Sequence, residues 1–368
     1  MTGPRITFVI SSLTSGGAER VMTTMANHWV TNGRPVTLLT ITGSDQPPFY
    51  PLSPEVDLRQ LALASPSGSP AKALLNNLRR LRELRRAITS TRADVVISFL
   101  DTTNVVTLLA TFGLGIPVVV AEHTDPGLKR MHPVWNLLRR YTYPRATRLV
   151  VLTEASKRFF PPFIQRQTLI IPNPIMVEPD AGPVERGLGR TLVSMGRFGP
   201  EKGFDLLIAA FARIAPDFPD WDLVIWGDGV LRVDLEAQRA THGLDDRIQL
   251  PGRTTTPHAE LRRADLYALS SRREGFPMAL AEAMACGLPA VAFDLPSGPR
   301  DIIRAGIDGL LVPNGDIPAL AEGLASLMRD DNRRLAMAQA APDVLSRFGV
   351  ERVMAIWDEL VEDLTQTR

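Results

Sequence analysis

The chain has 368 residues, of which 45% are hydrophobic, and a formal net charge of +1 at pH 7. This length predicts two domains, because a single hydrophobic core stops growing at about 250–300 residues. The single cysteine, Cys286, excludes an intramolecular disulfide framework. A net charge near zero, without a recognised nucleic-acid-binding module, argues against nucleic acid as a partner. The longest apolar stretch, residues 105–121, is interrupted by glycines and a proline, so it predicts no membrane-spanning helix.

Short apolar runs alternate with helical segments along the whole chain, which predicts parallel sheets covered on both faces. In the first half, buried strands are predicted at residues 7–10, 36–40, 95–99, 118–121 and 149–152. In the second half, they are predicted at residues 192–195, 223–226, 248–250, 266–269, 290–293 and 310–312. A proline- and glycine-rich linker, residues 172–190, separates the two sets. The predicted fold class is therefore α/β, with two doubly wound, Rossmann-like domains.

Two positions in the first half follow predicted strands, where parallel sheets bind ligands. Gly16 and Gly17 lie between the first strand and a helix at residues 18–31. Their missing side chains would let backbone N–H groups approach a ligand, although a glycine pair there also suits a simple turn. His123 follows the strand at residues 118–121, where it is either a catalytic or a structural histidine.

Residues 71–92 contain seven lysines or arginines and a single glutamate. Apolar residues recur there at helical spacing, at Leu74, Leu78, Leu81, Leu84 and Ile88. This pattern predicts an amphipathic helix whose polar face carries Arg79, Arg82 and Arg86. A second basic segment, residues 129–148, interleaves arginines with aromatic residues at Trp135, Tyr141 and Tyr143. Both segments suit an anionic membrane surface, and the alternative is a core-packed helix with a solvated charged face.

The second half contains a cation pair, Arg197 and Lys202, in the loop after its first predicted strand. Cations held at the end of a parallel strand can bind an anion such as a phosphate group. The alternative for such a pair is two solvated loop cations. Metal binding is not expected, because the Asp-x-Asp pattern at residues 220–222 precedes its strand and so lies at the wrong end for ligand binding.

Two glutamates, Glu274 and Glu282, stand eight residues apart around a predicted helix start. Pro277 suits the first turn of that helix, and Gly287 suits the position just past its end. A helix N-terminus offers unpaired N–H groups, and ionised carboxylates accept hydrogen bonds from sugar hydroxyls. Stabilisation of the helix N-terminus would explain Glu274 alone, but not its pairing with Glu282.

In their order and spacing, these motifs resemble the family 4 retaining glycosyltransferases, which have the GT-B fold. The resemblance covers nearly the whole chain. Besides the two glutamates, the matching segments are Gly16-Gly17-Ala18-Glu19-Arg20, Glu122-His123, Pro172-Asn173-Pro174, Gly196-Arg197 with Glu201-Lys202-Gly203, Gly227-Asp228-Gly229, Pro251-Gly252-Arg253 and residues 308–313.

The resemblance implies two parallel sheets that face each other across a cleft. Residues 1–175 would bind the acceptor, the helix at residues 351–368 would cross back to them, and residues 190–350 would bind the donor. Arg197, Lys202, Glu274 and His123 would be catalytic. The implied donor-binding residues are Gly16, Gly17, Arg253, Gly275, Phe276, Pro277, Met278 and Glu282. Neither glutamate is expected to be a nucleophile, because retention in this family is attributed to reaction on one face.

The expected activity is transfer of a sugar from a nucleotide diphosphate donor to a lipid-linked saccharide in bacterial surface polysaccharide or glycan assembly. A UDP-sugar is favoured, and GDP-mannose is the nearer alternative. We expect a cytoplasmic enzyme that is peripheral on the inner face of the membrane and needs no metal or other cofactor. The alternatives are a soluble acceptor and a non-catalytic scaffold that binds sugar nucleotides or polysaccharide.

Overall fold

A computed structural model describes residues 3–43, 47–63, 70–124, 126–127, 131–177 and 190–366, without the side chains of residues 70–75. The chain forms two compact units. Unit 1 comprises Met1–Pro174 and Glu351–Arg368, and unit 2 comprises Ile175–Val350. None of the described helices is long and apolar enough to cross a membrane.

Unit 1 is built on a parallel sheet whose seven described strands run in the order β3-β2-β1-β4-β5-β6-β7. The strands are β1 Ile6–Ile10, β2 Val36–Thr40, β3 Asp57–Gln60, β4 Val95–Phe99, β5 Val118–Ala121, β6 Arg148–Val151 and β7 Thr168–Ile170. The helices between them are α1 Gly17–Thr31, α2 Pro70–Thr91, α3 Asp101–Ala110, α4 Pro133–Thr142, α5 Glu154–Arg158 and α6 Pro162–Gln165. All residues of β1 and β4 are buried, because helices cover both faces of the sheet.

Unit 2 repeats this architecture with six described strands in the order β10-β9-β8-β11-β12-β13. The strands are β8 Arg190–Met195, β9 Trp221–Trp226, β10 Ile248–Gly252, β11 Leu266–Leu269, β12 Ala290–Asp294 and β13 Gly309–Pro313. The helices are α7 Phe204–Ile214, α8 Arg232–Thr241, α9 Pro257–Arg262, α10 Met278–Ala285, α11 Pro299–Ile302, α12 Ile317–Arg329, α13 Asp331–Ala340 and α14 Val344–Phe348. Trp221, Phe211, Phe293 and Leu324 lie at the centre of its apolar core.

The last helix, α15 Val350–Gln366, belongs almost entirely to unit 1. The Trp29 indole on α1 donates to Asp358 on α15 at 2.7 Å. Arg34 pairs with Asp358 and Glu362 at 3.1 and 2.9 Å. These contacts attach α15 to α1 and to the connection between α1 and β2.

The prediction of two doubly wound α/β domains is confirmed, and each predicted strand is present to within about two residues. Two edge strands, β3 and β7, were not predicted from the sequence. β3 reads Asp-Leu-Arg-Gln with no buried residue, and only one residue of β7 is buried. An edge strand in this position has no long apolar run, and apolar periodicity therefore misses it.

Candidate functional site

In each sheet the strand order reverses once, and open parallel sheets bind ligands beside the carboxyl ends of strands at that reversal. In unit 2 the reversal lies between β8 and β11. The loop after β8 carries Arg197 and Lys202, and the loop after β11 carries Glu274. The sequence candidates of unit 2 thus converge on the position that the topology favours for a ligand.

Lys202 and Glu274 form an ion pair across this reversal. The Lys202 ammonium donates to Glu274 Oε1 at 2.7 Å, and the Ser271 hydroxyl donates to the same oxygen at 2.7 Å. The Glu274 side chain is only 10% exposed and that of Lys202 is 26% exposed. An ammonium has three N–H donors, so Lys202 is oriented by one hydrogen bond and keeps donors for an anion.

The chain direction at Lys202 depends on Gly203, which has φ +62° and begins α7. A Cβ at this position would come within 2.1 Å of the Ser270 carbonyl oxygen, on the strand-end segment that leads to Glu274. Only glycine accepts both the left-handed backbone and this close approach. Glycine at this position lets the loop after β8 lie against the loop after β11. This close approach allows Lys202 to reach Glu274.

Arg197 lies at the same edge but is not buried. Its side chain is 76% exposed and pairs with Glu201 at 2.7 Å. A guanidinium has five donors, so this contact leaves Arg197 able to reach a bound phosphate. The structure thus places both predicted cations near one loop and pairs each with a different carboxylate.

Glu282 lies on α10 and is 3% exposed. Its carboxylate is 3.9 Å from the buried His258 imidazole. Burial and the nearby charges of Glu274 and Glu282 raise the pKa of the Tyr267 hydroxyl on β11. The two predicted glutamates therefore share one buried polar environment behind the loop after β11, and Tyr267 and His258 are members of it that sequence reasoning missed.

The loop Gly275–Met278 requires one correction, at Pro277, and its binding of a donor stays a prediction. Pro277 is the N-cap of α10 and not part of its first turn, because the first helical residue is Met278. The Phe276 side chain is buried and packs edge-to-face on Phe348 at 5.3 Å, so it belongs to the core. Ser297 donates to the Gly275 carbonyl at 3.0 Å and fixes the loop.

Sequence reasoning also missed Arg232, which connects the loop after β9 to strand β10. Its guanidinium pairs with Asp228 at 2.9 Å, donates to the Leu250 carbonyl at 3.2 Å and lies over the Phe198 ring. Hydrogen bonding to Arg232 lowers the pKa of the Asp228 carboxyl. The predicted residue Arg253 is exposed near this cluster. Arg232 follows no strand directly, so only the fold reveals its role.

In unit 1, Gly16 is the N-cap of α1. A Cβ at Gly16 would come within 2.0 Å of the Glu19 carboxylate, whereas a Cβ at Gly17 would meet no atom within 4 Å. Thr14 donates to Glu19 at 3.4 Å, and burial raises the pKa of this carboxyl. A side chain at position 16 would therefore clash with the Glu19 carboxylate. The space beside Gly17, at the N-terminus of α1, is open.

His123, just after β5, is held by Asn173, just after β7. Its Nδ1 lies 3.0 Å from Asn173 Oδ1, and its ring stacks obliquely on Phe99 with centroids 3.9 Å apart. Because Asn173 Oδ1 is an acceptor, Nδ1 carries the proton, and the buried Nε2 has no hydrogen-bond partner. Burial lowers the pKa of His123 to about 4. The imidazole is therefore neutral at pH 7, with a bare Nε2 acceptor.

Beside His123, a buried polar network joins β4, α3 and the segment after α4. The Tyr143 hydroxyl donates to Glu122, and the Asn104 amide donates to Tyr143 at 3.3 Å. Ser98 donates to Asn104 at 2.7 Å. Leu100, which begins α3 beside this network, has φ +76°, a rare backbone for a leucine. Strained backbone and buried polar groups concentrate at functional sites, and both lie here at the carboxyl edge of the sheet.

The basic helix α2 separates its arginines into two groups. Arg79, Arg82 and Arg86 are exposed, whereas Arg85 donates to the Ala110 and Phe112 carbonyls at the end of α3, at 2.9 and 2.7 Å. On its apolar face, Leu84 and Ile88 are buried, but Leu78 is 43% exposed and does not pack as predicted. The predicted Leu74 side chain lies outside the described part of the chain.

Only part of the second basic segment, residues 129–148, is exposed. Tyr143 and Arg139 are buried, and Arg139 lies over the Phe159 and Phe160 rings, so these two residues belong to the core. Tyr141 is 62% exposed, and Lys129 and Arg130 lie outside the described residues. The Asp-x-Asp pattern at residues 220–222 lies at the amino end of β9, where Asp220 and Asp222 pair with Arg190 and Arg247.

Two family models match the chain. The model described as "Glycosyltransferase Family 4" matches residues 15–178, and the model described as "Glycosyl transferases group 1" matches residues 184–344. The two matches adjoin and together cover most of both units.

Individual proteins are also similar to this chain over most of its length. The GalNAc-alpha-(1->4)-GalNAc-alpha-(1->3)-diNAcBac-PP-undecaprenol alpha-1,4-N-acetyl-D-galactosaminyltransferase of Campylobacter jejuni is 28% identical over 98% of this chain and 99% of its own. The phosphatidyl-myo-inositol mannosyltransferase of Mycobacterium leprae is 31% identical over 63% of each chain. The crystal structure of Anabaena HepE in complex with UDP has a TM-score of 0.79 and 20% identity, and the match covers 98% of this chain and all of that one. This structural likeness shows a shared fold.

Proposed function

Since this chain belongs to the family 4 glycosyltransferases and has the GT-B fold, we propose that it transfers a sugar from a UDP-sugar to a lipid-linked saccharide, with retention and without a metal ion. The single observation that carries the proposal is the Lys202–Glu274 ion pair at the strand-order reversal of unit 2, 2.7 Å between the charged atoms. This pair supports the proposal because an ammonium can bind a phosphate group and a neighbouring carboxylate can accept hydrogen bonds from sugar hydroxyls.

Each residue has a defined task in this proposal. Lys202 and Arg197 bind the diphosphate and stabilise the charge that it gains as the glycosidic bond breaks. Glu274 accepts hydrogen bonds from the donor sugar, Glu282 from the ribose, and the N–H groups of the Gly275–Met278 segment lie at the same helix N-terminus. The leaving phosphate receives the acceptor proton, so neither glutamate forms a covalent intermediate. His123 accepts a hydrogen bond from a sugar hydroxyl through its bare Nε2.

The nature of both substrates is supported by the relatives. The Campylobacter jejuni relative is named for a PP-undecaprenol-linked acceptor, and the Anabaena structure contains UDP. We therefore propose that the acceptor is a saccharide on a diphosphate-linked lipid, and that the enzyme acts at the cytoplasmic face of the membrane in surface polysaccharide assembly. The exposed arginines Arg79, Arg82 and Arg86 would hold it to an anionic leaflet.

A GDP-mannose donor is the second candidate, and the mannosyltransferase similarity of the Mycobacterium leprae relative favours it. Isothermal titration with UDP and GDP distinguishes the two. We expect UDP to bind and GDP to bind at least tenfold more weakly, and a panel of UDP-sugars to be slowly hydrolysed. Preferential binding of GDP would replace the UDP assignment, and binding of UDP without turnover of any donor would favour a non-catalytic scaffold.

A further inference from the structure

Arg272, in the loop after β11, binds the segment that leads into α7. Its guanidinium makes two parallel hydrogen bonds to the Asp205 carboxylate, at 2.7 and 2.6 Å. It also donates to the Pro200 carbonyl at 3.0 Å. These contacts engage both terminal nitrogens of the guanidinium, and hydrogen bonding to Arg272 lowers the pKa of the Asp205 carboxyl. Arg272 therefore connects residues 200–205 to the loop that carries Glu274.

The backbone of the same segment is held by the same loop. The Arg272 N–H donates to the Glu201 carbonyl at 2.8 Å, and the Ser270 hydroxyl donates to the Lys202 carbonyl at 3.1 Å. Gly203 lies so close to the Ser270 carbonyl that a side chain would not fit between them. The backbone on both sides of Lys202 is therefore fixed against the loop after β11.

The Lys202–Glu274 ion pair lies at the end of this contact. The Lys202 ammonium is 2.7 Å from Glu274 Oε1, and Glu274 follows Arg272 by two residues in the same loop. A lysine ammonium is carried on a flexible four-carbon stem, so its position depends on how firmly the backbone beneath it is held. A planar guanidinium with two parallel hydrogen bonds fixes distance and orientation together. The Arg272–Asp205 pair therefore supplies rigidity that the lysine stem lacks.

We propose that Arg272 is a positioning residue of the transferase. By holding residues 200–205 through Asp205 and Pro200, it places the Lys202 ammonium where the donor diphosphate binds. Arg272 does not itself bind the diphosphate, because both terminal nitrogens of its guanidinium already have acceptors. The inference rests on the proposed function for the role of Lys202 in donor binding.

The reactivity of Lys202 reports its position without any substrate. Lys202 is the only lysine in the sequence between residues 175 and 350. Its acetylation by acetic anhydride is therefore readily measured by mass spectrometry on the full-length protein, with Lys157 of unit 1 as the internal standard. In Arg272→Ala we expect Lys202 to react about tenfold faster than in wild type, the change that corresponds to losing one charge-assisted hydrogen bond.

Two further variants make this measurement specific. Asp205→Asn weakens the same pair from the other side and should also make Lys202 more reactive. Arg247→Ala is the matched control, because Arg247 likewise pairs with an aspartate and donates to a backbone carbonyl, at 2.9 and 2.7 Å, but at the amino end of the sheet. It should leave the reactivity of Lys202 unchanged. Wild-type reactivity of Lys202 in both Arg272→Ala and Asp205→Asn would overturn the inference.

A double-mutant cycle shows whether Arg272 acts through Lys202. The Arg272 and Asp205 side chains are each 40% exposed, so Arg272→Ala should fold. It should lower kcat for donor hydrolysis about 10²-fold in the wild-type background, the effect of misplacing a group by about 1 Å. In the Lys202→Ala background it should lower kcat less than about threefold, because residues that act as a unit are not additive. Equal losses in both backgrounds would overturn the inference.

The two measurements separate this inference from the proposed function. If Lys202 becomes more reactive in Arg272→Ala but the wild type turns over no sugar nucleotide, the positioning of Lys202 by Arg272 stands and the transferase proposal fails. If the wild type hydrolyses a UDP-sugar and Arg272→Ala changes neither kcat nor the reactivity of Lys202, the transferase proposal stands and the positioning role fails.

Discussion

At the scale of single residues, the proposed donor site contains two cations whose carboxylate partners differ in burial. The Lys202 ammonium faces a Glu274 carboxylate that is 10% exposed, whereas Arg197 is 76% exposed beside Glu201. Removing Lys202 therefore removes a cation and also leaves a mostly buried carboxylate with Ser271 as its remaining side-chain donor in this cluster. Removing Arg197 breaks only its exposed ion pair with Glu201, which contributes little to stability.

We predict that Lys202→Ala and Arg197→Ala each reduce kcat by about 10²–10³-fold, the usual effect of losing one preorganised charge stabiliser. Lys202→Ala should also lower the free energy of unfolding by about 1–3 kcal/mol, because Glu274 loses its charged partner. Donor turnover and thermal unfolding measure the two effects. Arg329→Ala, at a 62% exposed arginine on α12, is the control and should change neither. Wild-type turnover in either folded site variant would remove that residue from the donor site.

His123 gives a pH prediction of its own. Burial lowers its pKa to about 4 in the folded protein, from 6.5 when unfolded. Between those pH values the unfolded chain binds a proton that the folded chain does not, so the free energy of unfolding rises with pH. Up to about 3 kcal/mol is present above pH 6.5 and is lost as the pH falls to 4.

His123→Gln should therefore flatten this dependence. Hydrogen exchange of unit 1 amides between pH 4 and 7, corrected for intrinsic rates, measures the local free energy of opening. The exposed residue His242 of unit 2 provides the control, and His242→Gln should leave the slope unchanged. The same slope in His123→Gln as in wild type would mean that the His123 imidazole is not buried in its neutral form.

At the scale of secondary-structure elements, the arginines of α2 fall into a group that packs on α3 and a group that is exposed. Arg85 fastens the end of α3 through two backbone carbonyls, whereas Arg79, Arg82 and Arg86 point outward. Arg86 makes an exposed intrahelical pair with Glu83, which contributes little to folding. Substitution of Arg79, Arg82 and Arg86 should therefore leave the packing of α2 unchanged.

We predict that replacing Arg79, Arg82 and Arg86 with Glu weakens binding to anionic vesicles by about 10²-fold. Each basic residue near an anionic leaflet contributes about 1 kcal/mol, so three contribute roughly 3 kcal/mol. Vesicle co-sedimentation at low and high salt measures this. Arg158, Arg166 and Arg352, three exposed arginines of unit 1, replaced by Glu give the same change in net charge and serve as the control. Equal, salt-insensitive binding of all three proteins would mean that α2 is merely solvated.

The same scale shows which features could be predicted from the sequence. Buried strands such as β1 and β4 are continuous apolar runs, and strand ends locate Lys202, Glu274 and His123. The edge strands β3 and β7, with their polar or exposed residues, carry no such pattern. Donor binding by Phe276 stays a prediction, and the packing of its ring on Phe348 could not be predicted from the motif. Asn173 lies in a segment that the sequence singles out, but its contact with His123 joins residues far apart in the chain, and no local pattern records that contact.

At the scale of the whole molecule, each unit has a parallel sheet whose strand order reverses once, and candidate residues of each unit lie at that reversal or on a strand beside it. In unit 2 we propose that the cations Arg197 and Lys202 neutralise the diphosphate in place of a metal ion. We therefore predict that turnover survives EDTA. A donor-hydrolysis assay after chelation and gel filtration measures this, with added Mg²⁺ or Mn²⁺ as the comparison. Loss of turnover with EDTA and its return with either ion would contradict the metal-free mechanism.

The most direct test of the central claim is transfer itself. Labelled UDP-sugars are supplied one at a time with an undecaprenyl diphosphate-linked saccharide in anionic vesicles, and the anomeric configuration of the new linkage is determined by NMR. We predict transfer from one UDP-sugar with the donor's α configuration retained, and loss of transfer in Lys202→Ala. An inverted linkage, or UDP binding with no transfer to any lipid-linked acceptor, would contradict the account.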